Sequence, residues 1–590
     1  MVYSPENPIV VQSDRSVFLE TDRPNYELAR DALAQFAELI KSPEHIHTYR
    51  ITPLSLWNAA SAGLTADEIL QSLETYTKYD IPQNINQDVK EYVARYGRIK
   101  LVVEGESLVL VAKDAVLVKE LTANRTLDRY FEKVVDPNRI EVKRGMRGRV
   151  KQALIKIGWP VEDLAGYVEG VPIDIELRDQ TLTGRSFRLR QYQRDAADVF
   201  WAGGSAKGGS GVLVLPCGAG KTIIGIGVMS RISQHTLILS TNITALRQWR
   251  DELLDKTSLT LDEIGEYSGE VKERERPIVL TTYQILTYRK SRNDQFEHLD
   301  LFNNGRWGLI IYDEVHLLPA PVFRAVAEIQ GKRRLGLTAT LVREDGKEDD
   351  VFSLIGPKKF DVPWKVLERQ GWIAKAECVE IRIPLPEDKR LEYAVADTKA
   401  KFRIASENPM KIEVIKELIE HHRNDNILVI GQYLDQLHVI AEILQHERKS
   451  DIPIITGKTP TKERERIYGD FKEGRLKCMI VSKVANFAID LPDANVAIQV
   501  SGTFGSRQEE AQRLGRILRP KAEGKMAHFY SLVSKDTKDQ EFAANRQLFL
   551  TEQGYRYVID VRDEQGRSQV TAGANVAGAA ARWHGEVERS

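Results

Sequence analysis

The stretch Leu309-Ile310-Ile311-Tyr312-Asp313-Glu314-Val315-His316 constrains this chain more than any other. Residues suited to a buried strand run directly into two adjacent carboxylates. A short apolar run of this kind reads as a strand covered on both faces, which places it inside a parallel sheet flanked by helices. Two acids at the C-terminal end of such a strand stand where an ATPase holds magnesium and positions a water. Two acids that merely cap a following helix would not explain why so apolar a strand delivers both of them in register.

A phosphate loop lies upstream. Val212 to Leu215 reads as a short buried strand, and Gly218-Ala219-Gly220-Lys221-Thr222 follows it. The glycines let backbone N–H groups turn inward around a phosphate, and the helix that begins there adds the positive end of its dipole. Lys221 is expected on the β- and γ-phosphates of ATP and the Thr222 hydroxyl on Mg²⁺. The strict motif has a glycine where this chain has Leu215, so the loop is the shorter form Pro216-Cys217-Gly218-Ala219-Gly220-Lys221-Thr222. Asp313 is then expected to hold Mg²⁺ through water, and Glu314 to orient or deprotonate the attacking water. The tail Val315-His316 points away from transporters and GTPases and towards nucleic-acid motors.

Bulk properties narrow the class. With 590 residues the chain is too long for a single core. Its formal net charge is -1 with 29% charged residues, so any nucleic-acid contact must come from local patches. Cys217, Cys378 and Cys478 are too sparse and too far apart for a disulfide framework or a cysteine zinc site. The start Met1-Val2-Tyr3-Ser4-Pro5-Glu6 lacks the basic flank and apolar core of a secretion signal, and no apolar run approaches membrane-spanning length. These features imply a multidomain protein of a reducing compartment with no membrane partner.

Residues 1–112 read as a mainly helical N-terminal extension. Leu28, Leu33, Phe36, Leu39 and Ile40 fall at helical spacing, Thr65-Ala66-Asp67-Glu68 is a capping-box pattern, and Asp88 to Tyr96 is a further helix. Ile99–Val103 and Leu108–Ala112 flank Glu104-Gly105-Glu106-Ser107, a hairpin pattern. Helices followed by a hairpin suggest either a winged-helix-like module or a protein-docking domain. Residues 113–180 form a small second unit holding Arg139, Lys143, Arg144, Arg147, Arg149 and Lys151, the densest basic run of the chain. A solvated face explains that run as well as DNA phosphate contact by Arg144 and Arg147 does.

From 181 to 375 strands and helices alternate, giving an α/β domain with a parallel sheet. The strands expected are Val212–Leu215, Thr236–Ser240, Ile278–Thr281, Leu309–Tyr312 and Arg334–Thr338. The alternation restarts over 376–558, through Lys411–His421, Ile427–Ile430, Leu434–His446, Pro453–Thr456, Thr461–Phe471, Lys477–Ser482, Asn495–Val500 and Gln508–Leu518. That second domain has no phosphate loop of its own. Residues 559–590, Ala- and Gly-rich after Val570, read as a disordered tail.

The second domain ends in Gln512-Arg513-Leu514-Gly515-Arg516-Ile517-Leu518-Arg519. Arg516 and Arg519 are three apart, hence on one face of a helix, and can reach across a cleft to a γ-phosphate as arginine fingers. An isolated pair of this spacing is ordinarily a surface salt-bridge helix; the first domain's motifs favour the finger role.

With these motifs together the chain resembles the superfamily 2 helicases, and within them the XPB (xeroderma pigmentosum group B) family. The resemblance runs from about Leu189 to Val558. It is carried by Leu189-Arg190-Gln191-Tyr192-Gln193, Thr281-Thr282-Tyr283, Asp313-Glu314-Val315-His316, Leu337-Thr338-Ala339-Thr340-Leu341-Val342-Arg343-Glu344-Asp345, Ser482-Lys483-Val484, Asp490 to Val496, Gln508 to Arg519, and Phe529 to Thr537. Arg343-Glu344-Asp345 is the telling element, since it resembles the family's RED motif, implicated in strand opening.

The resemblance implies two RecA-like motor domains and an ATP-driven 3′→5′ DNA helicase or translocase acting in DNA repair. It implies that Gln193 reads the adenine and that Arg190 and Asp490 join the ATP site. His316, Thr338, Thr340 and Gln512 would couple that site to DNA, and Thr282 would contact the strand. It further implies a thumb-like insertion near 387–406, a damage-recognition-like role for the basic unit, and a possible nuclease or repair-protein partner. The N-terminal part resembles the extension of bacterial members, which places the protein in the bacterial cytoplasm and nucleoid. The sequence departs from the eukaryotic pattern over Ala485 to Asp490. A duplex translocase that separates no strands, an RNA helicase, and a DNA-binding scaffold that recruits a nuclease are the competing functions. The joint presence of Lys221, Asp313, Glu314, Arg516 and Arg519 speaks against the scaffold.

Overall fold

The computed structural model describes residues 4–571, apart from 42–44, 217, 289–297, 299–300, 302–305, 319–321, 323–325, 327–328, 330–331, 340–347, 363, 449–451, 483–493, 503–513, 516–525 and 556. Among the described residues the chain builds four sheets. Two are the motor sheets. The first has the order Ile264–Tyr267, Ile278–Thr282, Thr236–Ser240, Leu309–Asp313, Arg333–Thr338, Ser210–Val214, Lys358–Asp361, with every neighbouring pair parallel. Leu309, Ile310, Ile311 and Tyr312 are fully buried, as a central strand covered by helices on both faces must be.

The second motor sheet has the order Ile454–Ile455, Cys478–Ser482, Ile427–Gly431, Val496–Gln499, Ala527–Ser534, Ala376–Ile383, Tyr557–Arg562, Ser568–Thr571. Its neighbours are parallel up to the last pair, which is antiparallel. Both α/β alternations expected from sequence are therefore present, with boundaries shifted by a residue or two. The sheet continues through Ser568–Thr571, so the tail expected from 559 begins no earlier than 572, and residues 572–590 lie outside the described ones.

The N-terminal region corrects the expectation of a mainly helical extension. Ile9–Val11, Ser16–Glu20, Ile46–Arg50 and Glu38–Lys41 form a four-stranded antiparallel sheet. The helix expected to reach Ile40 stops at Leu33. Leu39 is buried between exposed Glu38 and Ile40 in a strand, and Leu28 is exposed. Apolar spacing of three and four residues was compatible with helix, but a period of two takes over where the chain meets its sheet partners. The helix opened by the capping box is present as Ala66–Tyr76, with Glu68 N–H to Thr65 Oγ1 (3.2 Å) and Thr65 N–H to Glu68 Oε2 (2.8 Å). The helix expected over Asp88–Tyr96 is present but begins earlier, as Gln83–Arg95.

The predicted hairpin exists as Ile99–Glu104 and Ser107–Ala112, but it is not a wing. It forms the middle of a five-stranded sheet with Phe131–Asp136, Arg139–Val142 and Val161–Asp163. A division at 112/113 cuts through this sheet and its single core of Leu101, Leu110, Leu121, Ile140 and Leu154. The division at 180/181 also moves. Ile173 N–H donates to Ser233 O and Arg178 N–H to Lys256 O, so the segment before 181 already lies along the first motor domain.

The helix Arg147–Lys156 packs on Glu348–Leu354 of the first motor domain, with Gln152 Nε2 donating to Asp350 Oδ1 at 2.7 Å and Ile155 joining Trp57 and Phe352. The 387–406 stretch is a helical pair, Glu387–Val395 and Thr398–Ser406, and the first of these has no buried residue. No helix among the described residues is long and apolar enough to cross a membrane.

A buried charge cluster sits in the second motor domain, where Arg546 Nη2 lies 3.7 Å from Asp539 Oδ1 beside the Lys411 pair. Lys411 Nζ donates to Asp539 Oδ2 (3.0 Å) and to Val500 O (2.9 Å), with both charged side chains fully buried. Burial lowers the Lys411 pKa, opposed by Asp539. Removing one member of such a pair leaves a charge without compensation. Asp539→Ala is therefore expected to destabilise the fold by about 3 kcal/mol in urea unfolding, and Asp539→Asn by less. An unchanged midpoint for Asp539→Ala would show the pair to be energetically idle.

Candidate ATPase site

The site forms at the C-terminal ends of the first motor sheet. Leu215 N–H donates to Thr338 O at 2.9 Å, so the chain is still paired to the sheet at this residue and Leu215 is fully buried. The loop can turn only after Pro216, which is why it is the short form. Gly220 (φ 81°) caps the helix Lys221–Ile232 in the left-handed region. The conformation calls for glycine, and a Cβ there, 2.8 Å from Gln193 Nε2, would also push the Gln193 amide aside. Lys221 and Thr222 stand in the first turn, half-buried.

The two acids are held differently. Asp313 Oδ2 accepts from Ser240 Oγ and Trp249 Nε1, each at 3.1 Å. Burial pushes the Asp313 carboxyl up to about 6, the Glu314 charge adds to this, and Lys221 with the two hydrogen bonds pulls it back. Glu314 is in the left-handed region (φ 49°, ψ 53°), a strained backbone for a non-glycine residue. That turn brings Glu314 Oε1 to 3.0 Å from Lys221 Nζ. His316 is buried, its Nδ1 lies 2.7 Å from Thr338 Oγ1 and 3.5 Å from Glu314 Oε2. Lys221, Glu314, His316 and Thr338 thus form one polar chain running from the phosphate loop to the end of the neighbouring strand.

On the other side of the loop, Gln193 Nε2 and the Tyr192 hydroxyl both donate to Ala219 O, at 3.1 and 2.6 Å, and Gln193 Oε1 accepts from Arg190 N–H at 2.9 Å. Gln193 is 4% exposed and fixed against the loop, which a surface glutamine on a helix would not be.

A divalent cation fits here by chemistry. A buried carboxyl with a raised pKa beside a second acid gains from a cation, and a magnesium ion that arrives with nucleotide needs only one or two protein groups besides phosphate oxygens. Among the described residues no cluster of three or more His, Cys, Asp or Glu could hold a metal unaided. Thr222 and Asp313 are the two groups suited to it.

Two expected DNA contacts are corrected. Arg147 Nη2 donates to Asp163 Oδ1 (2.8 Å), Nε to Asp163 Oδ2 (3.1 Å) and Nη1 to Gly166 O (2.9 Å), in an ion pair that Lys151 shares. Burying that acid demands paired cations, so Arg147 serves the fold of its own unit. Arg144 is exposed. Thr282 is buried, and its hydroxyl caps the short helix Tyr283–Leu286 by accepting from Ile285 N–H. Thr340, Arg343, Glu344, Asp345, Asp490, Gln512, Arg516 and Arg519 lie outside the described residues, as does most of the expected helix Gln508–Leu518. Sequence reasoning missed Ser240, Trp249 and Tyr283, whose hydroxyl donates to Asp313 O at 2.8 Å. Ser240 ends one predicted strand and Tyr283 stands just past another, where site residues gather in α/β sheets; nothing in its helix marks Trp249 as more than core.

A phosphate loop, a paired-acid strand and two parallel motor sheets in one chain define a P-loop ATPase of the two-domain motor class. Three family models match: the ERCC3/RAD25/XPB C-terminal helicase over 367–575, the type III restriction enzyme res subunit over 186–343, and a helicase conserved C-terminal domain over 9–134. The last match falls on the N-terminal antiparallel sheets and crosses 112/113. The chain is 52% identical to a DNA 3′-5′ helicase XPB of Mycobacterium tuberculosis, over 95% of this chain and 98% of that protein. It is 51% identical to the one of Kineococcus radiotolerans over the same shares, and 33% identical to the general transcription and DNA repair factor IIH helicase/translocase subunit XPB/SSL2 of Saccharomyces cerevisiae, over 93% and 71%. Among solved structures, the DUF1998 helicase MrfA bound to DNA aligns at TM-score 0.46 and 17% identity over 66% of this chain and 54% of that one, too loosely to carry an argument. The chain belongs to the XPB family of helicases, and as a helicase it uses ATP.

Proposed function

We infer that this chain is an ATP-driven DNA 3′→5′ helicase that acts in DNA repair. The observation that carries the reading is the polar chain Lys221–Glu314–His316–Thr338, which joins the phosphate loop to the strand that leads towards Arg343-Glu344-Asp345. Phosphoryl transfer is mostly positioning and charge neutralisation, and this chain supplies both. Lys221 binds phosphate, Thr222 and Asp313 hold Mg²⁺, and Glu314 orients the water. Gln193 and Arg190 face the base, and Asp490, Arg516 and Arg519 complete the site from the second motor domain. A change at Glu314 reaches Thr338 through one imidazole, and Thr338 with Thr340 and Gln512 passes it to the DNA side. Arg343, Glu344 and Asp345 open the strands, the helical pair over 387–406 acts as a thumb, and the exposed Arg144 is the contact left to the basic unit. The protein works in the bacterial cytoplasm, alongside a nuclease or another repair protein.

ATP turnover measured against single-stranded, duplex and forked DNA and against RNA tests this reading, with strand displacement and triplex displacement assayed in parallel. Forked and single-stranded DNA are expected to stimulate at least about tenfold more than RNA, with strands separated. Stimulation by RNA alone would overturn the DNA assignment. Triplex displacement without strand separation would make the protein a duplex translocase.

A further inference from the structure

Trp372 lies on the link between the two motor domains and belongs to neither sheet. The helix Trp364–Arg369 ends in a tight cap: Gly371 N–H donates to Glu368 O (3.0 Å) and Trp372 N–H to Leu367 O (2.9 Å). Gly371 has φ +73°, which an L side chain would strain, and this turn sets the direction in which Trp372 leaves the helix. The backbone is thus fixed, yet the indole is 37% exposed while Ile373 and Ala374 beside it are buried. The Arg190 guanidinium carbon lies over the indole, 4.3 Å from the ring centroid. Arg190 Nη1 donates to the Tyr192 hydroxyl (3.2 Å), which itself donates to Ala219 O in the phosphate loop. Among the described residues Arg190 pairs with no carboxylate; its cation lies over an aromatic face instead.

We propose that Trp372 is a positioning residue of the nucleotide site: it holds the Arg190 guanidinium flat, and the outer face of that guanidinium is the platform on which the purine base of ATP stacks. A guanidinium sandwiched between an indole and a base keeps its N–H edges for the Tyr192 hydroxyl while both faces are covered. Because Trp372 belongs to the interdomain link, an occupied base site also fixes the end of the helix that leads into the second motor domain. The inference rests on the reading of Arg190 and Gln193 as base-side residues.

The test uses the full chain, DNA-stimulated ATP turnover, and two inhibitors that differ by the base: ADP, and inorganic pyrophosphate, which has none. Trp372→Ala is expected to raise KM for ATP and the inhibition constant of ADP about tenfold, the weight of one cation–π contact with its stacked partner. The pyrophosphate constant should stay unchanged and kcat should fall less than about twofold. Trp372→Phe, which keeps an aromatic face, should restore ADP inhibition. An ADP constant unchanged in folded Trp372→Ala overturns the proposal. So does an equal weakening of ADP and pyrophosphate, which would mean the loop itself was disturbed, or a fall in kcat at unchanged KM, which would leave Trp372 a linker role alone. Gln193→Ala separates the two levels. If it weakens ADP while Trp372→Ala does not, only the Trp372 proposal fails; if neither weakens ADP, the base does not lie on this side of the loop and the base-side reading of Arg190 and Gln193 fails with it.

Discussion

Glu314→Gln and Lys221→Ala should each reduce DNA-stimulated ATP hydrolysis by about 10³-fold, the scale of losing a preorganised charge or a general base. Glu314→Gln keeps the shape of the side chain and removes the charge, so it tests chemistry with little packing change. The amide can still approach Lys221, now 3.0 Å from Glu314 Oε1, but it cannot take a proton from water. Nucleotide binding should survive, because the loop and the Lys221 charge are kept although its ion pair with Glu314 is lost. Lys221→Ala acts differently. The Asp313 carboxyl is already pushed up to about 6 by burial and by Glu314, and Lys221 is the nearby positive charge that opposes them. Its loss raises Asp313 further and weakens both phosphate binding and the hold on magnesium, so affinity and turnover should fall together. Phosphate release at saturating DNA, with folding checked by circular dichroism, measures both. Undiminished turnover in either folded variant would remove the site assignment.

Arg516→Ala should leave ATP binding within about threefold and lower hydrolysis by about 10³-fold, the range of an arginine finger supplied across an interface. The argument is one of timing. A finger meets the developing charge only when the second motor domain closes on the first, so its removal costs turnover and spares the open, binding state. Leu514, in the same stretch, is helical and fully buried, as the core face of such a helix requires. The buried Lys411 holds the carbonyl of Val500, ahead of Gly502, where the described chain breaks off before that stretch. Binding of a fluorescent ATP analogue beside steady-state turnover separates the two roles. Loss of nucleotide binding in a folded Arg516→Ala protein would argue for a structural role.

The parts of this molecule legible from sequence are those whose cause is local. An apolar run ending in Asp313-Glu314, a strand–loop–helix around Gly220-Lys221-Thr222, and the Thr65–Glu68 capping box each depend on residues a few positions apart, so spacing alone specifies them. The alternation of strand and helix that announces two parallel sheets is of the same kind. Arg516 and Arg519 are legible only as a spacing, and their place in the motor rests on sequence and family.

Tertiary structure decided what depends on partners distant in the chain. Leu39 belongs to a strand because Tyr49 pairs with it, and the hairpin after Ile99 is the middle of a sheet because Arg139–Val142 lies beside it. Arg147 looked available to DNA until Asp163 closed on it, since burying that acid is tolerable only with its cations beside it. The surroundings of Asp313 come from Ser240 and Trp249, 73 and 64 residues away, and the face under Arg190 comes from Trp372. The sequence by itself determined which chemistry the chain carries, because periodicity and short spacing record which side chains share a strand end or a helix face. Only the fold decided which of them are spent on holding the molecule together, because a buried charge or hydroxyl takes its role from the groups that desolvate it, and those are brought by other parts of the chain.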